Sequence, residues 1–182
     1  RKLLFAICLG LLYPQSNIDS LYYSYDEIRK QLYEWNDEFG DSLHYHYANS
    51  IVYHLDSIGV SSNEELPIYA VKLSQNANID EDEPRVLILG QCHAEEILGV
   101  EMSMALIDWL LHPDSEVSTP FMNKLKEFMY NLEIWVVPTH NPEGLRVVHG
   151  YGDENGDWIQ DESYRKNKTD VNENGIFDFN AF

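Results

Sequence analysis

The chain has 182 residues, of which 44% are hydrophobic and 13% are aromatic, and its formal net charge is −19. A hydrophobic fraction of this size predicts a packed globule rather than a disordered chain, and the length fits one domain. The strong negative charge argues against nucleic acid as a partner and against binding to an anionic membrane surface, because both attract basic faces.

Residues 1–18 are typical of part of a secretory signal peptide. A basic start precedes an apolar run from Leu3 to Leu12, and a polar segment follows it. Because this run is too short to span a bilayer as a helix, we expect no stable membrane insertion. A lipid-anchor signal at Cys8 is the alternative, but Ile7 stands where a small residue is needed. The segment predicts a secreted, extracellular or periplasmic protein whose folded part is residues 19–182.

Hydrophobic spacing predicts alternating helices and strands as far as Pro138. An amphipathic helix is expected from Leu21 to Phe39. The elements that follow are, in chain order, strands 51–58, 67–73 and 85–90, helices 95–111 and 121–130, and a strand over 132–138. Strands that alternate with long helices predict an α/β fold, with a mixed, largely parallel central sheet flanked by helices. The aliphatic strands 85–90 and 132–138 are expected at its centre.

The sequence becomes polar after Pro138, and residues 150–180 are expected to form an acidic loop rich in Asn, Asp and Gly. One part of it matches the start of an EF-hand-type calcium loop, with oxygen side chains at the required spacing; these are Asp170, Asn172, Asn174 and Asp178. Ala181 stands where the loop needs a bidentate Glu. A weak calcium site and a solvated Asn-Gly turn therefore remain equal alternatives.

His93 and Glu96 lie three residues apart where a predicted strand turns into a predicted helix. An imidazole and a carboxylate at this spacing can converge on one ion, and zinc accepts such mixed ligands. The alternative is an ordinary helix start with an acidic first turn. Cys92 is interpreted as a small buried residue at a strand end. A second pair, His44 and His46, is interpreted as a surface or strand-edge pair.

Two further segments follow the second central strand. Residues 138–144 read Pro-Thr-His-Asn-Pro-Glu-Gly, which predicts a turn, and Arg165 lies in a Tyr-Arg-Lys-Asn segment beyond it. Ligands in α/β sheets bind beyond the carboxyl ends of strands, so the turn is expected beside His93 and Glu96. Taken alone, Arg165 would be a solvated charge.

Together, and in this order, these motifs resemble the zinc carboxypeptidase family, the carboxypeptidase A/B type of metallopeptidase, from about Tyr22 to the chain end. The resemblance implies that His93 and Glu96 are two zinc ligands and that Arg165 polarises the scissile carbonyl. The family commonly has an Arg where this chain has Glu95. It continues with a carboxylate-binding segment, a third zinc ligand and a general-base Glu, so we expect an N-terminal part of the catalytic domain, incomplete at its C-terminus.

The resemblance implies a zinc metallocarboxypeptidase that hydrolyses C-terminal peptide bonds of peptides or proteins, with one Zn²⁺ per site. The chain alone is expected to be inactive. Two alternatives stay open. One is a secreted, non-catalytic calcium-binding or adhesion module or pseudoenzyme, and the other is a related zinc deacylase of amides or esters. The Arg165 segment favours a peptidase over the deacylase. Side-chain specificity and the substrate-binding residues are not predicted.

Overall fold

The computed structural model describes residues 21–113, 119–153 and 155–171. The predicted order of long helices and strands is confirmed, with one additional helix. The helices are α1 (Tyr25–Phe39), α2 (Leu98–Leu111), α3 (Thr119–Met129) and α4 (Pro142–His149), and the main strands are β1 (Tyr53–Val60), β2 (Pro67–Leu73), β3 (Arg85–Gln91) and β4 (Glu133–Thr139). Strands β5 (Tyr151–Gly152) and β6 (Trp158–Ile159) form a small separate hairpin. No helix in these ranges is long and apolar enough to cross a membrane.

The central sheet has the strand order β1-β2-β4-β3. β3 runs parallel to β4, whereas β1 with β2 and β2 with β4 are antiparallel pairs. The prediction of a mixed α/β sheet flanked by helices is confirmed, but its parallel share is smaller than expected over the described strands. The short connection of residues 61–66 accounts for one of the two antiparallel pairs, β1 with β2, because a connection of this length can join only antiparallel neighbours.

A capping box at the N-terminus of helix α1 fixes where the helix begins, and one apolar stripe fixes which face it buries. Ser24 and Glu27 form a capping box in which the Ser24 N–H donates to the Glu27 carboxylate over 2.9 Å. The helix therefore begins at Tyr25 rather than at Leu21. Its buried residues recur three or four positions apart, which packs one face into the core; they are Tyr25, Ile28, Leu32, Trp35 and Phe39.

Helix α4 lies where the sequence predicts a turn over residues 138–144 and a polar loop beyond it. That prediction is wrong for residues 142–149. Asn141 caps the helix by accepting a hydrogen bond from the Gly144 N–H at 3.1 Å, and Pro142 takes the first turn, where its missing N–H costs nothing. Gly150, with φ of 90°, follows the last residue. The buried Leu145 and Val148 dock the helix against the core.

His44 is buried, which contradicts its interpretation as one of a surface or strand-edge pair. Its side chain lies under the ring of Phe39, and its Nε2 is 2.7 Å from the carbonyl oxygen of Leu111. Residues Tyr45–Tyr47 form a 3₁₀ turn instead of a strand. Phe39 at the end of α1 supplies the aromatic face, and Leu111 at the end of α2 supplies a terminal carbonyl that has no partner within its helix.

Candidate metal centre

The candidate centre lies at the carboxyl ends of the parallel strands β3 and β4. Gln91 and Thr139 are paired across these strands, and the Thr139 hydroxyl donates to the Gln91 side-chain oxygen over 2.5 Å. Both side chains are buried. The chain leaves β3 toward His93 and leaves β4 toward Asn141. The two strands thus deliver both motifs to one edge, as the rule for α/β sheets predicts.

Two glycines let the start of α2 approach the end of β3 closely. A Cβ on Gly90 would lie 2.2 Å from the carbonyl oxygen of Pro138 and 2.9 Å from that of Gly99. A Cβ on Gly99 would in turn lie 2.9 Å from the Gly90 carbonyl oxygen. Neither position has room for a side chain. Because the Gly90 and Gly99 backbones lie in contact, residues 92–97 must turn sharply between strand and helix. The Glu96 N–H donates to the His93 carbonyl over 3.0 Å within this turn.

The turn brings the two predicted ligands together. His93 Nδ1 is 3.1 Å from Glu96 Oε1, and the two side chains are 42% and 51% exposed. The hydrogen bond from His93 lowers the pKa of Glu96, although partial desolvation opposes this effect. Helix α2 begins at Leu98, so Glu96 precedes the helix. The expected helix start at Glu95 is wrong because the Gly90–Gly99 contact holds this segment in a turn.

Arg165 reaches the same place from a distant part of the sequence. Its Nη2 lies 3.2 Å and 3.3 Å from the two ring nitrogens of His93, and its Nη1 is 3.4 Å from Glu96 Oε1. The Ala94 N–H also donates to the Arg165 carbonyl over 3.2 Å. The three residues that the motifs single out are therefore neighbours in the fold.

Glu95 is a site residue that the sequence did not identify as functional. Its carboxylate forms an ion pair with Nη1 of Arg165. The side chain of Glu95 is 26% exposed, whereas that of Arg165 is 55% exposed. The hydrogen bond to Glu95 raises the pKa of Arg165. The signal that could have found this contact is the presence of a carboxylate where the resembling family commonly has an arginine.

The segment that carries Arg165 is fastened at its other end by a buried ion pair. The Lys168 ammonium, 7% exposed, pairs with Glu64, and the same carboxylate also pairs with Arg146 of α4. Glu64 is itself fixed because its backbone N–H donates to the buried Glu143 carboxylate over 2.8 Å. No local pattern could have indicated a contact between residues 104 positions apart.

The donor set of His93 and Glu96 fits two zinc ligands. It offers one imidazole nitrogen and one ionised carboxylate, converging and open to solvent, which is the mixed set that zinc accepts. Over the ranges that the structure describes, no three His, Cys, Asp or Glu side chains form a group that could hold a metal. The assignment of these ligands, and of Arg165 as catalytic, stays a prediction.

Cys92 is exposed, so its interpretation as a buried residue is wrong. The preceding Gln91 ends β3 with its side chain in the core, and because successive side chains point to opposite faces, Cys92 points outward. Its backbone carbonyl, rather than its thiol, takes part in the site by accepting a hydrogen bond from Asn141 at 3.1 Å.

The calcium hypothesis stays a prediction. Asp170 is described, whereas Asn172, Asn174 and Asp178 lie outside the described residues. Asp153 lies before this segment in the same acidic loop, and its Oδ1 accepts the backbone N–H groups of Asn155 and Asp157 at 2.9 and 2.8 Å. The Asp153 carboxylate therefore stabilises a local turn of the backbone over residues 153–157.

A family model described as "Zinc carboxypeptidase" matches residues 21–182. A protein named "Zinc carboxypeptidase" from Saccharothrix mutabilis subsp. capreolus is 35% identical over 91 residues, which cover 50% of this chain and 20% of that protein.

Two solved structures share the fold. Carboxypeptidase A from Helicoverpa armigera superposes with a TM-score of 0.61 at 21% identity, over 85% of this chain and 31% of that chain. Thrombin activatable fibrinolysis inhibitor (TAFI) superposes with a TM-score of 0.62 at 16% identity, over 92% of this chain and 35% of that chain. The chain thus spans about a third of these structures and about a fifth of the curated relative. Because the family model matches residues 21–182, well over half of the chain, the chain belongs to the zinc carboxypeptidase family.

Proposed function

We propose that this protein is a zinc metallocarboxypeptidase, which hydrolyses the C-terminal peptide bond of peptides or proteins. The observation that carries the proposal is the position of Arg165, whose guanidinium lies within 3.4 Å of both His93 and Glu96. Family membership supports the reaction class, since the family consists of zinc-dependent peptidases. Secretion, suggested by residues 1–18, is part of the same proposal.

His93 and Glu96 would hold the zinc through a ring nitrogen and a carboxylate oxygen. Bound zinc supplies Lewis-acid polarisation and lowers the pKa of a bound water toward ~7. The deprotonated state of Glu96 suits this role, because a metal ligand must be free of its proton. His93 and Arg165 keep that carboxylate ionised.

Arg165 would stabilise the negative charge that develops on the carbonyl oxygen of the scissile bond. Its guanidinium is a fixed cation with several N–H donors, and Glu95 orients it from the side. Removing one such donor costs about 2.7–4 kcal/mol, or a factor of roughly 10²–10³ in kcat. This role distinguishes a peptidase site from a bare metal site, and it makes Arg165 the proposed catalytic residue.

The test is C-terminal hydrolysis by the protein expressed from its complete open reading frame. We expect release of the last residue from a peptide with a free C-terminus, and a loss of about 10²–10³ in kcat for Arg165→Ala. Arg29→Ala is the matched control, because Arg29 is a similarly exposed arginine that pairs with Asp26 on α1. Equal activity of the two variants, or hydrolysis of N-acyl amides without release of C-terminal residues, would contradict the proposal.

A further inference from the structure

We propose that Asn141 is a positioning residue that locks the Arg165 segment against the His93 segment. The catalytic consequence of this lock rests on the function proposed above, whereas the lock itself does not. Asn141 is 4% exposed and lies between β4 and α4, at the point where the two candidate site segments meet.

Every polar group of Asn141 is used, and its amide bridges two segments of the chain. The Nδ2 group donates to the carbonyl oxygens of Cys92 and Lys166, at 3.1 and 3.3 Å. The Oδ1 atom accepts from the Gly144 N–H at 3.1 Å, and the Asn141 N–H donates to Thr139 Oγ1 at 3.1 Å. The Asn141 carbonyl accepts from the Leu145 N–H at 3.0 Å.

The chemistry of these partners fixes the orientation of the amide. The backbone N–H of Gly144 can only donate, so it must face Oδ1, and the two backbone carbonyls can only accept, so they must face Nδ2. An aspartate keeps the acceptor for Gly144 but turns a negative oxygen toward two carbonyl oxygens. A serine also caps a helix well but is too short to reach both segments. Among these capping residues, asparagine alone can cap α4 and bridge the segments.

The bridged carbonyls are direct chain neighbours of the site residues. Cys92 precedes His93, and Lys166 follows Arg165, so Asn141 sets the separation of the two backbones from which these side chains extend. Apart from Asn141, the Ala94 N–H to the Arg165 carbonyl is the direct backbone contact between the segments among the described hydrogen bonds.

The Arg165 segment is also held by the ion pair between Lys168 and Glu64, which lies away from His93. Lys168 pairs with Glu64, in the connection between β1 and β2, and so holds the segment without fixing its distance from His93. Asn141, by contrast, is tied through Thr139 to Gln91 at the end of β3, from which the His93 segment departs. The geometry therefore assigns to Asn141 a share in aligning Arg165 with His93, beside the direct contacts of the Arg165 segment with Ala94 and Glu95.

Asn141→Asp in the protein from the complete open reading frame tests the catalytic consequence. We expect kcat for C-terminal hydrolysis to fall about tenfold to a hundredfold, as small misplacements in active sites do, with KM and zinc content nearly unchanged. Asn131→Asp is the matched control, because the Asn131 amide donates to the Glu127 carbonyl at 2.6 Å on an exposed part of the chain. Asn141→Ser serves as the second variant if the aspartate does not fold.

A double-mutant cycle separates positioning from general damage. If Asn141 acts through Arg165, Asn141→Asp has little further effect on kcat once Arg165 is alanine. A full additional loss of kcat in that background would overturn the proposal. If Arg165→Ala alone leaves kcat unchanged, the proposed function fails instead, and the two failures are thereby distinguished.

Hydrogen exchange tests the lock without reference to activity. We expect Asn141→Asp to accelerate exchange of the Ala94 amide, which donates to the Arg165 carbonyl, relative to wild type and to Asn131→Asp. Unchanged protection of Ala94 in both Asn141 variants would show that Asn141 does not hold the segments together.

Discussion

At the scale of single residues, the candidate site depends on backbone contacts as much as on the chemical side chains. His93 and Glu96 converge because Gly90 and Gly99 let a helix start press against a strand end. Arg165 joins them because its guanidinium pairs with the Glu95 carboxylate and its carbonyl oxygen accepts a hydrogen bond from the Ala94 N–H. A substitution that touches none of the reacting groups can therefore disturb the site.

Gly90→Ala is expected to destabilise the fold and to weaken zinc binding. The added Cβ would meet the Pro138 carbonyl oxygen at 2.2 Å, which forces backbone movement, and overpacking of this kind costs typically about 1–3 kcal/mol. Denaturant unfolding of the protein from the complete reading frame measures the change. Gly59→Ala is the control, because a Cβ there meets nothing within 4 Å. Equal stability of the two variants would contradict this packing account.

The residue types of the site could be predicted from sequence, but their supports could not. His93, Glu96 and Arg165 each belong to a short motif that carries its own chemical reason. Glu64 and Lys168, in contrast, form a tertiary ion pair across 104 positions, and nothing in their local sequence indicates the partner. Such contacts exist only once the chain is folded.

At the scale of elements, periodicity located the long helices and the aliphatic strands but missed α4. Its eight residues include a proline, a glycine and three titratable side chains, so its apolar spacing is weak. The end signals were nevertheless present, since Asn141 and Pro142 open the helix and Gly150 follows it. The order of the strands in the sheet could not be predicted from sequence, for a different reason. β2 pairs with β4 across roughly sixty residues, and pairing partners at that separation are not encoded locally.

A charge cluster of Lys72, Arg85 and Glu133 joins strands β2, β3 and β4 around the buried Glu133 carboxylate. Glu133 is 1% exposed, and its carboxylate lies 2.6 Å from the Lys72 ammonium and 2.6 Å from Arg85 Nε. Burial alone would raise the pKa of Glu133, but the hydrogen bonds from Lys72 and Arg85 outweigh it and lower the pKa to about 2.

This cluster predicts a defined acid sensitivity. Because the folded pKa lies below the unfolded value of 4.5, the ionised Glu133 stabilises the fold fully above pH 4.5, and that contribution is lost as the pH falls toward 2. Glu133→Gln should lower the free energy of unfolding at neutral pH by about 3–5 kcal/mol, since Lys72 is left as a buried unpaired charge. The difference between wild type and variant should shrink below pH 4.5.

Urea unfolding at several pH values measures this difference. Glu127→Gln is the control, because Glu127 pairs with Lys124 on an exposed helix face, where ion pairs contribute roughly 0–1 kcal/mol. A difference between wild type and Glu133→Gln that stays constant from neutral pH down to pH 2 would contradict the assigned cause.

At the scale of the whole molecule, the described sheet has an exposed apolar edge. β3 pairs with β4 along one edge, and none of the other described strands pairs with its second edge. Val86, Leu87 and Leu89 of β3 are exposed. Leu98 and Met102 of the adjacent helix α2 are exposed as well. The chain spans about a third of each of the two solved structures that share its fold.

Whether His93 and Glu96 bind zinc is decided by the zinc content of the protein from the complete open reading frame, purified with Zn²⁺ supplied. We expect stoichiometric zinc in the wild type and its loss when His93 and Glu96 are both replaced by alanine. The control replaces His112 and Asp108, a pair of the same composition with Nδ1 and Oδ1 2.9 Å apart and similar exposure, and should keep its zinc. A wild type that holds no zinc, or a His93/Glu96 variant that keeps it, would show that these two side chains are not zinc ligands.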